Sequence, residues 1–166
     1  MPRLDATRIG VWRDLRITID DLARRVDGDL RAEWDISLAW FDVLASLQRF
    51  GGSARPLDLA ADLRIPASSI SRQLDRLEEE GWVARNRSGE APGGAADLRA
   101  VEVELTRTGR RLWREMNVSF RRAVQVHFAT HLADDEVDAL RAVIGLLTDS
   151  PADPVDDRDP VTDDPS

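Results

Sequence analysis

The chain has 166 residues, 42% of them hydrophobic, enough for one domain or two small ones sharing a core. It has no cysteine, which excludes disulfides, thiolate metal sites, a catalytic cysteine and a thiol redox switch. A formal charge of -8, with every basic residue an Arg, argues against a general nucleic-acid binder, so any reading of DNA must rest on individual Arg residues.

In chain order, residues 8–30 carry Trp12, Leu15, Ile19, Leu22 and Val26 at spacings of three and four, a heptad-like stripe on one helix face. A second helix is expected over 37–49, with Trp40, Val43, Leu44 and Leu47 inward and Gly51-Gly52 as its stop. A short helix follows at 57–63, with Pro56 suited to its first turn. Pro66 then opens another, whose Ile70, Leu74 and Leu77 form a one-sided apolar stripe ending at Gly81. Residues 82–87 and 100–106 read as strands; in the second, Val101, Val103 and Leu105 alternate with Glu102 and Glu104. The loop between them holds Pro92-Gly93-Gly94 and is expected to be mobile. A long helix is expected over 108–131 and a last one over 134–147, with Val137, Leu140, Ile144 and Leu147 along one face. From Ser150 onward Pro and Asp dominate, and disorder is the expectation.

This order is a mainly α fold with a small β-hairpin wing, that is, a winged helix-turn-helix flanked by helices. Residues 51–107 would form the DNA-reading region and residues 1–50 and 108–149 a helical dimerisation region, leaving 150–166 as an acidic tail. The terminal helices are too amphipathic to stand alone, and a second copy of the chain is the simplest partner. The tail holds six Asp and one Arg, a net -5, which leaves -3 for residues 1–149. The segment 53–114 is near neutral, with eleven Arg against ten acids. No signal pattern or membrane-length apolar run is present, so the cytoplasm is the expected compartment.

In a helix-turn-helix the second helix enters the major groove by its N-terminal part. With Ile70, Leu74 and Leu77 inward, its exposed face holds Ser68, Ser69, Ser71, Arg72, Asp75 and Arg76. The hydroxyls suit phosphates or base edges, and the helix N-terminus favours an anion. Arg72 is placed for a bidentate guanine contact and Arg76, one turn later, for backbone phosphate. Glu78 to Glu80 fall at the far end, where they need not face DNA. On the hairpin, Arg99 would enter a narrow minor groove, steadied by Asp97, or else form an ordinary surface ion pair with it. Arg85 and Arg87 on the first strand are candidate phosphate contacts.

The ordered set Leu59-Ala60, Arg72, Asp75-Arg76-Leu77-Glu78, Gly81-Trp82-Val83, Asp97-Leu98-Arg99 and Leu105-Thr106-Arg107-Thr108-Gly109 resembles the MarR family of winged-helix transcription regulators. The likeness runs from about Arg8 to Leu147 and includes Phe41-Asp42-Val43-Leu44. It implies a homodimer on pseudo-palindromic, double-stranded operator DNA, usually as a repressor, released in many members by a small aromatic or phenolic ligand. The loop over residues 86–96 is longer than the usual family wing, and the acidic tail is outside the family pattern.

An effector of that kind would sit between the dimer helices and the winged region. Trp12, Arg16, Trp40, Asp42 and Trp113 are the candidates, Arg16 for a carboxylate or phenolate and the Trp rings for an aromatic body. The alternative for the Trp residues is core or dimer packing. His127 and His131 stand at i, i+4, the spacing that places two imidazoles on one helix face, and with Asp134 and Asp135 nearby a zinc or nickel site of a metal-responsive regulator is an alternative, although packing or surface roles are the commoner use. No catalytic triad, phosphate loop or cofactor motif stands in a recognisable context, so neither an enzyme nor a cofactor is expected. A winged-helix interaction module without DNA binding is the remaining rival.

Overall fold

A computed structural model describes residues 3–87 and 101–148. The expected mobile loop with Asp97 and Arg99, and the acidic tail from residue 150, lie outside those residues, as does the Arg87 side chain. The chain divides into two compact units, residues 1–130 and residues 131–166.

The first unit opens with α1 (Ala6–Trp34). Asp5 caps it by accepting the Arg8 N–H at 2.8 Å, and it stops at Asp35 in the left-handed region (φ 55°). Only Val26 and Leu30 of this 29-residue helix are buried in the single chain. Trp12, Leu15 and Ile19 of the sequence stripe are exposed, Trp12 by 68%. The C-terminal half is held by Trp34, whose Nε1 donates to Ser119 Oγ at 2.9 Å, and by Asp27, which accepts the Leu38 N–H at 2.7 Å.

Next come α2 (Leu38–Arg49) and a two-residue strand β1 (Ser53–Ala54). Helices α3 (Pro56–Leu63) and α4 (Ala67–Glu79) follow, then strands β2 (Val83–Arg87) and β3 (Val101–Leu105). The sheet is antiparallel in the order β1-β3-β2, with Arg85 opposite Val103 and Ser53 opposite Glu104. The expected hairpin therefore gains a third strand on its inner side, too short to leave a period in the sequence. The core lies where these elements meet: Phe41, Leu44 and Leu47 of α2, Leu59 of α3, Ile70, Leu74 and Leu77 of α4, and Val83, Val103 and Leu105 of the sheet are all buried. Burying each such aliphatic or aromatic side chain contributes about 1.5–3 kcal/mol.

Helix α5 (Arg107–His127) begins two residues after the last residue of β3, with one residue between them. That residue, Thr106, caps it by accepting the Gly109 N–H at 3.0 Å while its own N–H donates to the Trp82 carbonyl at 3.0 Å. Gly109 packs so closely on that carbonyl that a Cβ would lie 2.9 Å from the Trp82 carbonyl carbon. The helix ends at His127, four residues short of the expected boundary, and Ala129–His131 form a 3-10 turn.

In the second unit α6 (Asp134–Thr148) carries Asp134, Asp135 and Glu136 in its first turn, where their charge suits the helix dipole. None of its residues is buried, and Val137, Ile144 and Leu147 are exposed. No helix among the described residues is long and apolar enough to cross a membrane.

Candidate nucleic-acid interface

Helices α3 and α4 are joined by a turn at Arg64, itself left-handed (φ 52°), and Ile65-Pro66. Pro66 fixes the entry into α4 and supplies no side-chain cap, and the first turn of α4 contains no acid. The N–H groups of Ser69 and Ile70 donate to the Pro66 carbonyl, at 2.9 and 3.2 Å, which leaves those of Ala67 and Ser68 to solvent or to an approaching anion. Burial of Ile70, Leu74 and Leu77 turns the opposite face outward, and Ser68, Ser71, Arg72 and Arg76 are exposed on it, with Ser69 half-buried.

The serines differ in readiness. The Ser71 hydroxyl donates to the Ala67 carbonyl at 3.1 Å, leaving its oxygen lone pairs for a donor but its hydrogen engaged. Arg76 faces Glu79 at a loose 3.9 Å, an exposed pair worth little. Arg72 has no ion-pair partner among the described residues. On the outer face of α4 its guanidinium is thus unpaired by any described carboxylate.

Arg85 is differently placed from the expectation of a phosphate contact. It lies on β2 with its side chain only 23% exposed, turned toward α4. Its Nη1 donates to Glu78 Oε2 at 2.8 Å and its Nη2 to Asp75 Oδ1 at 2.5 Å. The second Glu78 oxygen accepts the Arg85 backbone N–H at 3.2 Å. Two carboxylates one turn apart on the helix thus hold one guanidinium on the strand. The sequence signal was available: two acids at i, i+3 on α4, and an Arg on the strand that follows. The fold was needed to show that they meet.

The expected ligand residues fall on three helices, Trp12 and Arg16 on α1, Trp40 and Asp42 on α2 and Trp113 on α5. Trp12 is exposed on α1, and Arg16 faces Asp20 across one turn at 3.9 Å. Trp40 packs edge-on against Trp82, with ring centroids 5.8 Å apart and an interplanar angle of 83°. Asp42 is half-buried on α2; burial pushes its carboxyl above the usual carboxylate value, partly offset by Arg49. Trp113 is half-buried, and its Nε1 is enclosed without an acceptor among the described residues. An apolar groove of about 270 Å³ between α1 and α5, lined by Leu22, Val26, Phe120 and Val124 among others, includes none of the five.

His127 and His131 do not form the helical i, i+4 pair that a metal site on one helix would need. The helix ends at His127, whose Nε2 lies 2.9 Å from Asp29 Oδ2 on α1. Among the described residues no group of three or more His, Cys, Asp or Glu is placed to hold a metal ion.

Comparison with known proteins agrees with this geometry. The model of the MarR family matches residues 34–91, from the end of α1 through β2. The HTH-type transcriptional regulator PecS of Dickeya dadantii is 29% identical over 124 residues, covering 70% of this chain and 67% of the relative. Among solved structures, Sco3205, a MarR family transcriptional regulator from Streptomyces coelicolor, in complex with DNA, superposes with a TM-score of 0.76 at 24% identity over 89% of this chain and 90% of that one. A cysteine-to-serine mutant of MarR from E. coli, complexed with operator DNA, gives 0.71 at 26% identity over 88% and 99%. A small helical head with an antiparallel sheet, flanked by long amphipathic helices, is thus shared with these structures over 88–89% of this chain, and residues 34–91 carry the match to the MarR family model.

Proposed function

We propose that the protein is a homodimeric, sequence-specific DNA-binding transcription regulator, acting as a repressor. The observation that carries the reading is the outer face of α4, where exposed hydroxyls and the free guanidinium of Arg72 surround a helix N-terminus that no side chain caps. Arg72 would meet a base edge, Ser68, Ser69, Ser71 and Arg76 the sugar-phosphate backbone, and Arg99 on the wing the minor groove, with Asp97 beside it. Arg87 keeps its place as a phosphate contact, whereas the pairing of Arg85 argues against that role.

Dimerisation is supported by the apolar side chains left in water on α1, including Ile9, Trp12 and Ile19, and on α6, including Ile144 and Leu147. Residues 1–50 and 108–149 would supply that interface and residues 51–107 the reading head. Two copies related by a two-fold axis would place two α4 helices on half-sites about 10 base pairs apart. Release by a small aromatic ligand belongs to the same reading. It is favoured by the enclosed Trp113 N–H, for which an incoming acceptor would remove an unsatisfied donor.

The test is fluorescence anisotropy of a labelled duplex from the region upstream of the protein's own gene, against a scrambled duplex of equal composition. The expected result is preferential binding that weakens steeply as salt rises. Absence of preference for that duplex and for a genomic fragment library, even at low salt, would refute the regulator and favour a winged-helix interaction module.

A further inference from the structure

We propose that Arg85 is a positioning residue that keeps Arg72 available to DNA by holding Asp75 and Glu78 away from it. The inference rests on the regulator reading above and adds to it how the specificity-bearing side chain is kept free.

Asp75 is three residues after Arg72 and directly before Arg76 on α4. At a spacing of i, i+3 an Asp and an Arg on an exposed helix face ordinarily pair. Here Asp75 turns instead to Arg85 across the α4–β2 turn, at 2.5 Å, and Arg72 is left without an ion-pair partner among the described residues. Glu78 completes the arrangement by taking Nη1 at 2.8 Å and the Arg85 backbone N–H at 3.2 Å. Arg85 Nη2 also faces the Ser71 carbonyl at 3.5 Å, one residue before Arg72.

Three consequences follow from these contacts. The guanidinium ties the reading helix to the first wing strand, so the major-groove and wing contacts keep a fixed spacing. It balances the charge of the two carboxylates, which would otherwise draw the neighbouring guanidinium groups of Arg72 and Arg76. It also removes the nearest competitor for the Arg72 guanidinium. A partly enclosed Arg held by two carboxylates gains little by leaving them for a phosphate, because both acids would be left behind unpaired. Arg85 therefore acts through Arg72 rather than on DNA itself.

The experiment is a mutant cycle on the full chain, using R85M, D75N/E78Q and the triple variant. Met keeps the aliphatic packing of the Arg stem. Each protein is measured for affinity to the operator duplex and the scrambled duplex over a salt series, and for thermal stability. The expected result is that R85M lowers the preference for operator about tenfold, while the triple variant returns to within about threefold of wild type. The slope of log affinity against log salt should be the same in R85M as in wild type, because no phosphate contact is lost. A loss that persists in the triple variant, or a salt slope shallower by about one, would overturn the proposal and make Arg85 a phosphate contact.

A merely structural role would lower affinity for both duplexes alike and leave their ratio unchanged. If wild type prefers no duplex, the regulator reading fails on its own evidence. The proposal then falls with it, and coupling between Arg85 and the acid pair in the stability cycle would show a clamp whose role is structural alone.

Discussion

Replacing Gly109 with Ala should destabilise the protein although the site lies in the first turn of a helix. Alanine in a helix is ordinarily favoured over glycine by about 1 kcal/mol. Here the added Cβ would lie 2.9 Å from the Trp82 carbonyl carbon and 3.2 Å from its Cα, closer still to the oxygen, and all of these are backbone atoms that no rotamer change can move. Relief requires α5 to lift from the start of β2. That strains two bonds: the Thr106 N–H to Trp82 carbonyl at 3.0 Å and the Thr106 Oγ1 cap on Gly109 at 3.0 Å. Overpacking costs about 1–3 kcal/mol, and each weakened bond about 1 kcal/mol. Against the propensity gain, a net loss of about 2–4 kcal/mol remains, equivalent to a fall in Tm of roughly 5–15 °C. Gly28 in α1 is the control: a Cβ there meets nothing within 4 Å, so Gly28→Ala should raise Tm by roughly 1–4 °C. Thermal denaturation followed by circular dichroism at one fixed protein concentration compares the two. If both variants were stabilised, the close approach of α5 to Trp82 would be wrong.

Arg72→Ala should reduce discrimination between operator and scrambled duplex by about 1–3 kcal/mol, read by anisotropy titration; retained preference would remove Arg72 from base recognition. Trp12→Glu, which puts a charge on the exposed stripe of α1, should shift the dimer toward monomer in analytical ultracentrifugation while α-helical content persists. Two aspartates should respond to acid in opposite senses. Hydrogen bonds from Ser46 (2.6 Å) and from Arg49 hold the Asp62 carboxyl below its usual value. Its stabilising effect is present above the unfolded value near 3.8 and lost as pH falls through the folded one. Ser46→Ala should thus lower Tm at pH 7 by roughly 2–8 °C, with a smaller difference near pH 3. Asp42 is raised by burial, so its ionised form is penalised at neutral pH and relieved as pH falls through the folded value. Asp42→Asn should raise Tm at pH 7 and leave it unchanged near pH 3.

Periodicity made α4 and β3 legible because each buries one face, and the buried residues are among those the spacing picks out: Ile70, Leu74 and Leu77, and Val103 and Leu105; α2, central in the fold, buries Phe41 and Ser46 as well as the expected Val43, Leu44 and Leu47 and leaves Trp40 half-buried. The stripe Trp12 to Val26 was equally visible, yet within the chain it buries only Val26, because periodicity shows that a face needs covering and not what covers it. β1 leaves no mark in the sequence because two residues carry no period. The end of α5 differs from the expectation because no Gly or Pro stands in the 126–131 stretch to mark where the backbone turns at Phe128. The site shows the same limit. An exposed Arg on a strand after a reading helix suggests phosphate, and only the proximity of Asp75 and Glu78 reveals that Arg85 is already engaged. Charge type is written in the sequence, whereas charge pairing across a turn is a property of the packed state.

The junction between β3 and α5 is a single residue, and it is bonded on both sides. Thr106 holds the Gly109 N–H, donates its hydroxyl to the Gly81 carbonyl at 2.8 Å, and anchors its own N–H on Trp82. Such a joint has no slack. A helix of 21 residues is about 31 Å long, so a displacement of roughly 3 Å at its far end corresponds to a tilt of about 5° at the joint. Because Gly81-Trp82 also ends the turn after α4, that tilt reaches the wing and the groove helix together. The molecule is in this sense jointed at one residue: a tilt of α5 at Thr106 would be felt first at Gly81-Trp82, the turn that joins α4 to β2.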